Sequence, residues 1–121
     1  MQFANEHDIE LWLARHQADP ILGPAARTLC ALKDAVNSCS DGWPYWQAPA
    51  RSAQTLVGLL ADADRAYLRG AAHDVTATDL DRAYRSIKAF RTRYGAKYGF
   101  DFDFHYPAQN PGAPEPLSLF P

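Results

Sequence analysis

The stretch Thr76 to Gly95, TATDLDRAYRSIKAFRTRYG, decides the fold. Leu80, Ala83, Tyr84, Ile87, Phe90 and Tyr94 recur at intervals of three and four, which places them on one arc of an α-helix facing a core. Thr76 or Thr78 is suited to be the N-cap, Asp79 and Asp81 fall in the first turn, and the helix is expected to stop near Tyr94, ahead of Gly95. Past Asp81 the character changes. From Arg82 to Lys97 there are six basic residues (Arg82, Arg85, Lys88, Arg91, Arg93, Lys97) and no acidic one, whereas residues 1 to 81 carry eleven acids and six bases. A net charge of −2 therefore conceals a basic helix on an acidic body.

Three further helices are expected upstream. The first spans about Glu6 to Gln17, with Asn5 as N-cap, and ends before Asp19-Pro20; its apolar stripe is Ile9, Trp12, Leu13 and His16. The second opens at Gly23-Pro24 and runs to about Cys39, with Ala25, Leu29, Leu32, Val36 and Cys39 in a narrow arc. The third covers about Pro49 to Arg69, buries Ala53, Leu56, Val57, Leu60 and Tyr67, and has Gly70 as its stop. Short connections between successive helices predict an all-α, up-and-down bundle of about four helices. Residues 1–99 form this bundle domain. Residues 100–121 form an extended aromatic and proline-rich C-terminal tail packed on the bundle or on a partner, because Phe100, Phe102, Phe104 and Tyr106 alternate with Asp101, Asp103 and His105.

Length and composition bound what the bundle can do. The 121 residues leave room for one core. Alanine supplies 21 of them and Leu, Ile, Val and Phe together only 24, so the core is thin, its helices are closely spaced, and a homodimer that completes it is an open alternative. No run of about 18 apolar residues is present for a membrane span, and the N-terminus lacks the basic start and apolar stretch of a signal peptide, so a soluble, cytoplasmic protein without membrane contact is expected. Cys30 and Cys39, set on one helix about 13 Å apart, are too distant for a disulfide.

Two surfaces stand out as partner-binding candidates. Trp43, Tyr45 and Trp46 crowd one loop, and such residues dominate interface hot spots. Arg85, Lys88, Arg91 and Arg93 form the second, although acids such as Asp62, Asp64 or Asp74 would neutralise it if they lay close. Arg91 falls inside the apolar arc, where a charge must be paired, must snorkel or must face a partner. Asp64 intrudes on the third helix in the same way, and a hairpin would bring it nearer to Arg82 than to Arg91. The run Asp101, Asp103, His105 spaces its side chains too widely for one metal ion, and the aromatics between them are expected to dock on helices. His16, on an apolar stripe, reads as a satisfied core histidine. With no phosphate loop, nucleophile elbow or metal-binding helix motif, the expectation is a non-enzymatic binding module without cofactor or metal. It binds a protein partner, or else nucleic acid through Arg82 to Lys97.

Overall fold

A computed structural model describes residues 6–38, 47–98 and 101–107. Among them the chain forms α1 (Glu6–His16), α2 (Leu22–Asn37), α3 (Gln47–Ser52), α4 (Gln54–Leu68) and α5 (Ala77–Tyr98), with no strand. The protein is an all-α bundle, and no described helix is long and apolar enough to cross a membrane. Ile9, Trp12, Ala25, Leu29, Leu32, Val36, Leu56, Leu60, Leu80, Ala83, Tyr84, Ile87 and Phe90 are buried in one core, as their spacing predicts.

Chain direction follows from side-chain pairs. Glu10 near the start of α1 meets Lys33 near the end of α2, so these two helices are antiparallel. Asp64, late in α4, reaches Arg15 and His16 at the end of α1, and Tyr84, early in α5, reaches Pro24 and Thr28 at the start of α2. The C-terminal ends of α1 and α4 and the N-terminal ends of α2 and α5 therefore gather at one pole, which is up-and-down alternation.

Three expectations are corrected. The helix expected from Pro49 to Arg69 is two helices, with Ala53 between them at φ −89° and ψ −2°. The Ala53 amide still bonds to the Pro49 carbonyl and its own carbonyl accepts from Val57, so the chain turns without losing these bonds. The Ala53 methyl is wholly buried at the bend, and the two arms dock differently: α3 lies on α5, while α4 meets α2 and α5. Second, α5 continues through Gly95 to Tyr98. A glycine ends a helix when it turns left-handed; Gly70 does so, at φ 78°, and Gly95 keeps the right-handed path. Third, Tyr67 is 53 % exposed, because α4's last turn runs past the core and leaves the ring edge-on to His16 at 5.0 Å.

The starts of α2 and α5 are held by side-chain acceptors. Thr76 accepts the Asp79 amide while the Asp79 carboxylate accepts the Thr76 amide, a reciprocal box that opens α5. For α2 the acceptor is Asp19, whose Oδ1 takes the amides of Ile21 and Leu22. Gly23 sits where α2 begins against the end of α1, and a Cβ there would lie 2.7 Å from the Gln17 carbonyl oxygen.

Residues 101–107 cross the bundle as an unpaired extended segment with period-two burial: Phe102, Phe104 and Tyr106 are buried, Asp101 and Asp103 exposed. Arg91 lies beside Phe102 and Phe104, Lys88 beside Phe104 and Tyr106, and Tyr84 beside Phe104, Tyr106 and His105, so the segment runs antiparallel to α5. The fit is metric. Two extended residues advance about 6.6 Å and one helical turn about 5.4 Å, so alternate aromatics meet successive turns. At its centre the Tyr84 hydroxyl donates to the His105 carbonyl (2.7 Å), the His105 amide donates to the Thr28 hydroxyl (2.9 Å), and that hydroxyl in turn donates to the Tyr84 oxygen (3.0 Å). Burial raises the Tyr84 phenol above its ordinary pKa, so it stays protonated and able to donate.

Two outcomes are expected in thermal unfolding. Gly23→Ala destabilises by about 1–3 kcal/mol through overpacking. Tyr84→Phe destabilises by about 1–2 kcal/mol because the His105 carbonyl loses its best donor, whereas Tyr106→Phe does not, since the buried Tyr106 hydroxyl has no partner among the described residues. Equal losses for the two tyrosines would contradict the assigned network.

Candidate functional site

The basic residues of α5 separate into two sets. Lys88 and Arg91 turn to the tail. The Arg91 guanidinium lies 4.6 Å from the Phe104 ring centre and donates to the Phe102 carbonyl at 3.0 Å, and the Lys88 ammonium sits 5.0 Å from the Tyr106 ring centre. The anomalous place of Arg91 on the apolar arc is thus answered by aromatic faces and one carbonyl within the same chain. Arg82, Arg85 and Arg93 are exposed. Asp79 lies within electrostatic reach of Arg82, and Arg93 lies over Tyr94.

Two of the expected neutralising acids are engaged elsewhere. Asp62 pairs with Arg65 on its own helix. Asp64 pairs with Arg15 and His16 and approaches neither Arg82 nor Arg91, because α4 turns that face toward α1. Among the described residues no carboxylate forms an ion pair with Arg51, Arg85 or Arg93. Arg51 and Arg93 flank an open groove of about 580 Å³ between α3 and α5, with Ser86, Thr92, Phe90 and Tyr94 in its walls. Trp43, Tyr45 and Trp46, the aromatic candidates, lie outside the described residues, as does Cys39. Asp101 and Asp103 are exposed and His105 half-buried, and no group of three metal-ligating side chains occurs among the described residues. Burial pushes the Cys30 thiol up, which leaves it unactivated.

A second polar constellation occupies the pole where four helix ends meet. The Asp64 carboxylate accepts Arg15 Nε at 2.9 Å and Nη2 at 2.7 Å, and the same Oδ1 that takes Nε accepts His16 Nε2 at 2.7 Å. These bonds, those from Arg15 foremost, hold Asp64 below the usual carboxylate range against the upward push of burial. Nearby, His73 Nε2 donates to Asp19 Oδ2 at 2.9 Å while His73 Nδ1 accepts the Val75 amide at 3.1 Å. Burial raises the Asp19 pKa, but the Leu22 and Ile21 amides and His73 outweigh it and hold the carboxyl low. His16, Asp19 and His73 line a cleft of about 290 Å³ together with Leu22, Ala63, Tyr67, Ala71 and Ala72. Arg15, Asp19 and His73 carry no sequence motif. The one local signal was Asp19 three residues before Leu22, the spacing of a helix cap.

No protein-family model matches this chain, and neither the curated proteins nor the solved structures contain a match to it.

Because Asp64 has a depressed pKa in the folded state, the stability it contributes is complete above the ordinary aspartate value of about 3.9 and is lost as pH falls through the lower native value. Asp64→Asn is expected to melt below the parent at neutral pH, with the gap closing as the solution is acidified through that range. A gap that is constant with pH would remove the ionic role of Asp64.

Proposed function

We propose that this protein is a non-enzymatic binding module that receives an acidic segment of a protein partner on the outward face of α5 and the adjoining α3. The observation that carries the proposal is the exposure of Arg51, Arg85 and Arg93 without an ion-paired carboxylate among the described residues. Exposed, uncompensated arginines present planar donors in pairs and fit carboxylates bidentately. Their field also steers an acidic partner during encounter. The open groove between Arg51 and Arg93, about 580 Å³, has the volume to take side chains of a docked segment, and Phe90 and Tyr94 give it apolar walls.

Charge placement favours a short acidic segment over a nucleic-acid backbone. Asp79 and Asp81 stand at the N-terminal end of α5, and Asp101 and Asp103 point outward from the tail that lies along it. A continuous polyanion following the helix would meet carboxylates at both ends, whereas a local acidic cluster would not. The sequence pI of about 6.0 weighs in the same direction.

The test compares a fluorescein-labelled, glutamate-rich peptide with duplex DNA of matched charge, using fluorescence anisotropy. Peptide binding is expected to weaken by about tenfold between roughly 50 and 200 mM salt, and to be lost in the double variant Arg51→Glu/Arg93→Glu while helical circular dichroism is kept. Tighter binding of the DNA would transfer the surface to nucleic acid, and salt-insensitive peptide binding would reject the basic face altogether.

A further inference from the structure

The cleft at the pole contains an imidazole whose geometry leaves one atom unused. His16 is only 4 % exposed. Its Nε2 is engaged by Asp64 Oδ1, whereas its Nδ1 makes no hydrogen bond to any described residue and is not among the side-chain atoms sealed from solvent without a partner. His16 lines the cleft, so Nδ1 opens onto it. Two bonds from Arg15 keep Asp64 ionised, and an ionised carboxylate at 2.7 Å requires the proton on Nε2. In the neutral ring Nδ1 then carries a lone pair directed into the cleft.

The remaining walls restrict what that lone pair can receive. Asp19 and His73 have their polar atoms occupied: Oδ1 by two amides, Oδ2 by the imidazole, and Nδ1 of His73 by the Val75 amide. Both oxygens of Asp64 are likewise taken. Each carboxylate oxygen of Asp19 and Asp64 and each ring nitrogen of His73 thus has a partner within the protein, and among these groups and His16 only Nδ1 of His16 has none. Leu22, Ala63, Ala71, Ala72 and Tyr67 supply the rest of the lining, so the cleft presents apolar surface and polar groups side by side. The volume, about 290 Å³, lies at the small end of ligand sites.

We infer that this cleft binds a small, neutral molecule, part apolar and part polar, through one hydrogen bond donated to His16 Nδ1. The site is separate from the basic face of α5, and it stands or falls independently of the proposed partner binding. Asp64 and Arg15 are positioning residues, fixing the tautomer through Nε2, and Tyr67 provides an aromatic wall open to solvent on its other side.

Phenol and toluene are matched probes, since they share a ring and differ in the donor. In ¹⁵N-edited NMR at pH 8, His16 is expected to show the Nε2–H tautomer, and its Nδ1 resonance is expected to move saturably with phenol at a Kd on the order of millimolar. Phenol should bind about three- to tenfold more tightly than toluene. Ala71→Phe, placed at an exposed position on the cleft wall, should abolish the shift while the circular dichroism is unchanged. An Nδ1–H tautomer, equal affinity for the two probes, no movement of the His16 signals, or full binding in the Ala71→Phe variant would each overturn the inference.

Discussion

The hydroxyls of Thr28 and Tyr84 share the backbone of one residue, His105, and the closure of the bundle depends on that exchange. Thr28 and Tyr84 are both buried, and the tail gives their hydroxyls a carbonyl acceptor and an amide donor beyond the bond they make to each other. An alanine-rich bundle packs its helices closely but leaves few large side chains to cover its surface seam. Phe102, Phe104 and Tyr106 supply that cover, and the hydroxyl triangle fixes their register. The segment is thus part of the core although it belongs to no helix. An extended chain can serve because its backbone groups at residues 102 and 105 are met by Arg91, Thr28 and Tyr84 in place of a neighbouring strand.

Electrostatics is organised by the same economy of partners. At the pole, the acids are spent on holding ends together: Asp19 caps α2 and captures His73 from the loop before α5, and Asp64 ties α4 to α1. Acids used there are not available to α5. The positive field along its outer face is the counterpart of an anionic set committed to tertiary contacts at one end of the molecule.

Periodicity made most of the bundle legible. Leu80, Ala83, Tyr84, Ile87 and Phe90 declare their face because the core they enter repeats every 3.6 residues, and Thr76 declares its cap because the box is local. The alternation from Asp101 to Tyr106 also showed in the sequence, and burial follows it residue by residue. Ala53 gave no signal, since alanine is as content in a helix as at a bend and the turn there arises from where α3 and α4 dock. Gly95 misled for a related reason: a glycine marks a stop only where the chain takes the left-handed conformation, as at Gly70. Among the site residues, Arg91 was visible as an oddity on an apolar arc, but its answer lay at Phe102 and Phe104, beyond the reach of a helical wheel. The partnership of Asp64 with Arg15 and His16 joins positions 48 and 49 residues apart, and no spacing rule encodes such a pair.

The two ways in which α5 uses its cations differ in their response to ions. Arg91 and Lys88 rest on aromatic faces, one of them with a carbonyl bond as well, where neutral partners and short distances leave mobile ions little to screen. Arg85 and Arg93, directed to solvent, act over a Debye length and are screened readily. Ionic strength therefore discriminates between the two sets on a single helix: concentrated salt damps the field of the outer arginines while the clasp between helix and tail persists, so the outward charge can be screened without disturbing the body that carries it.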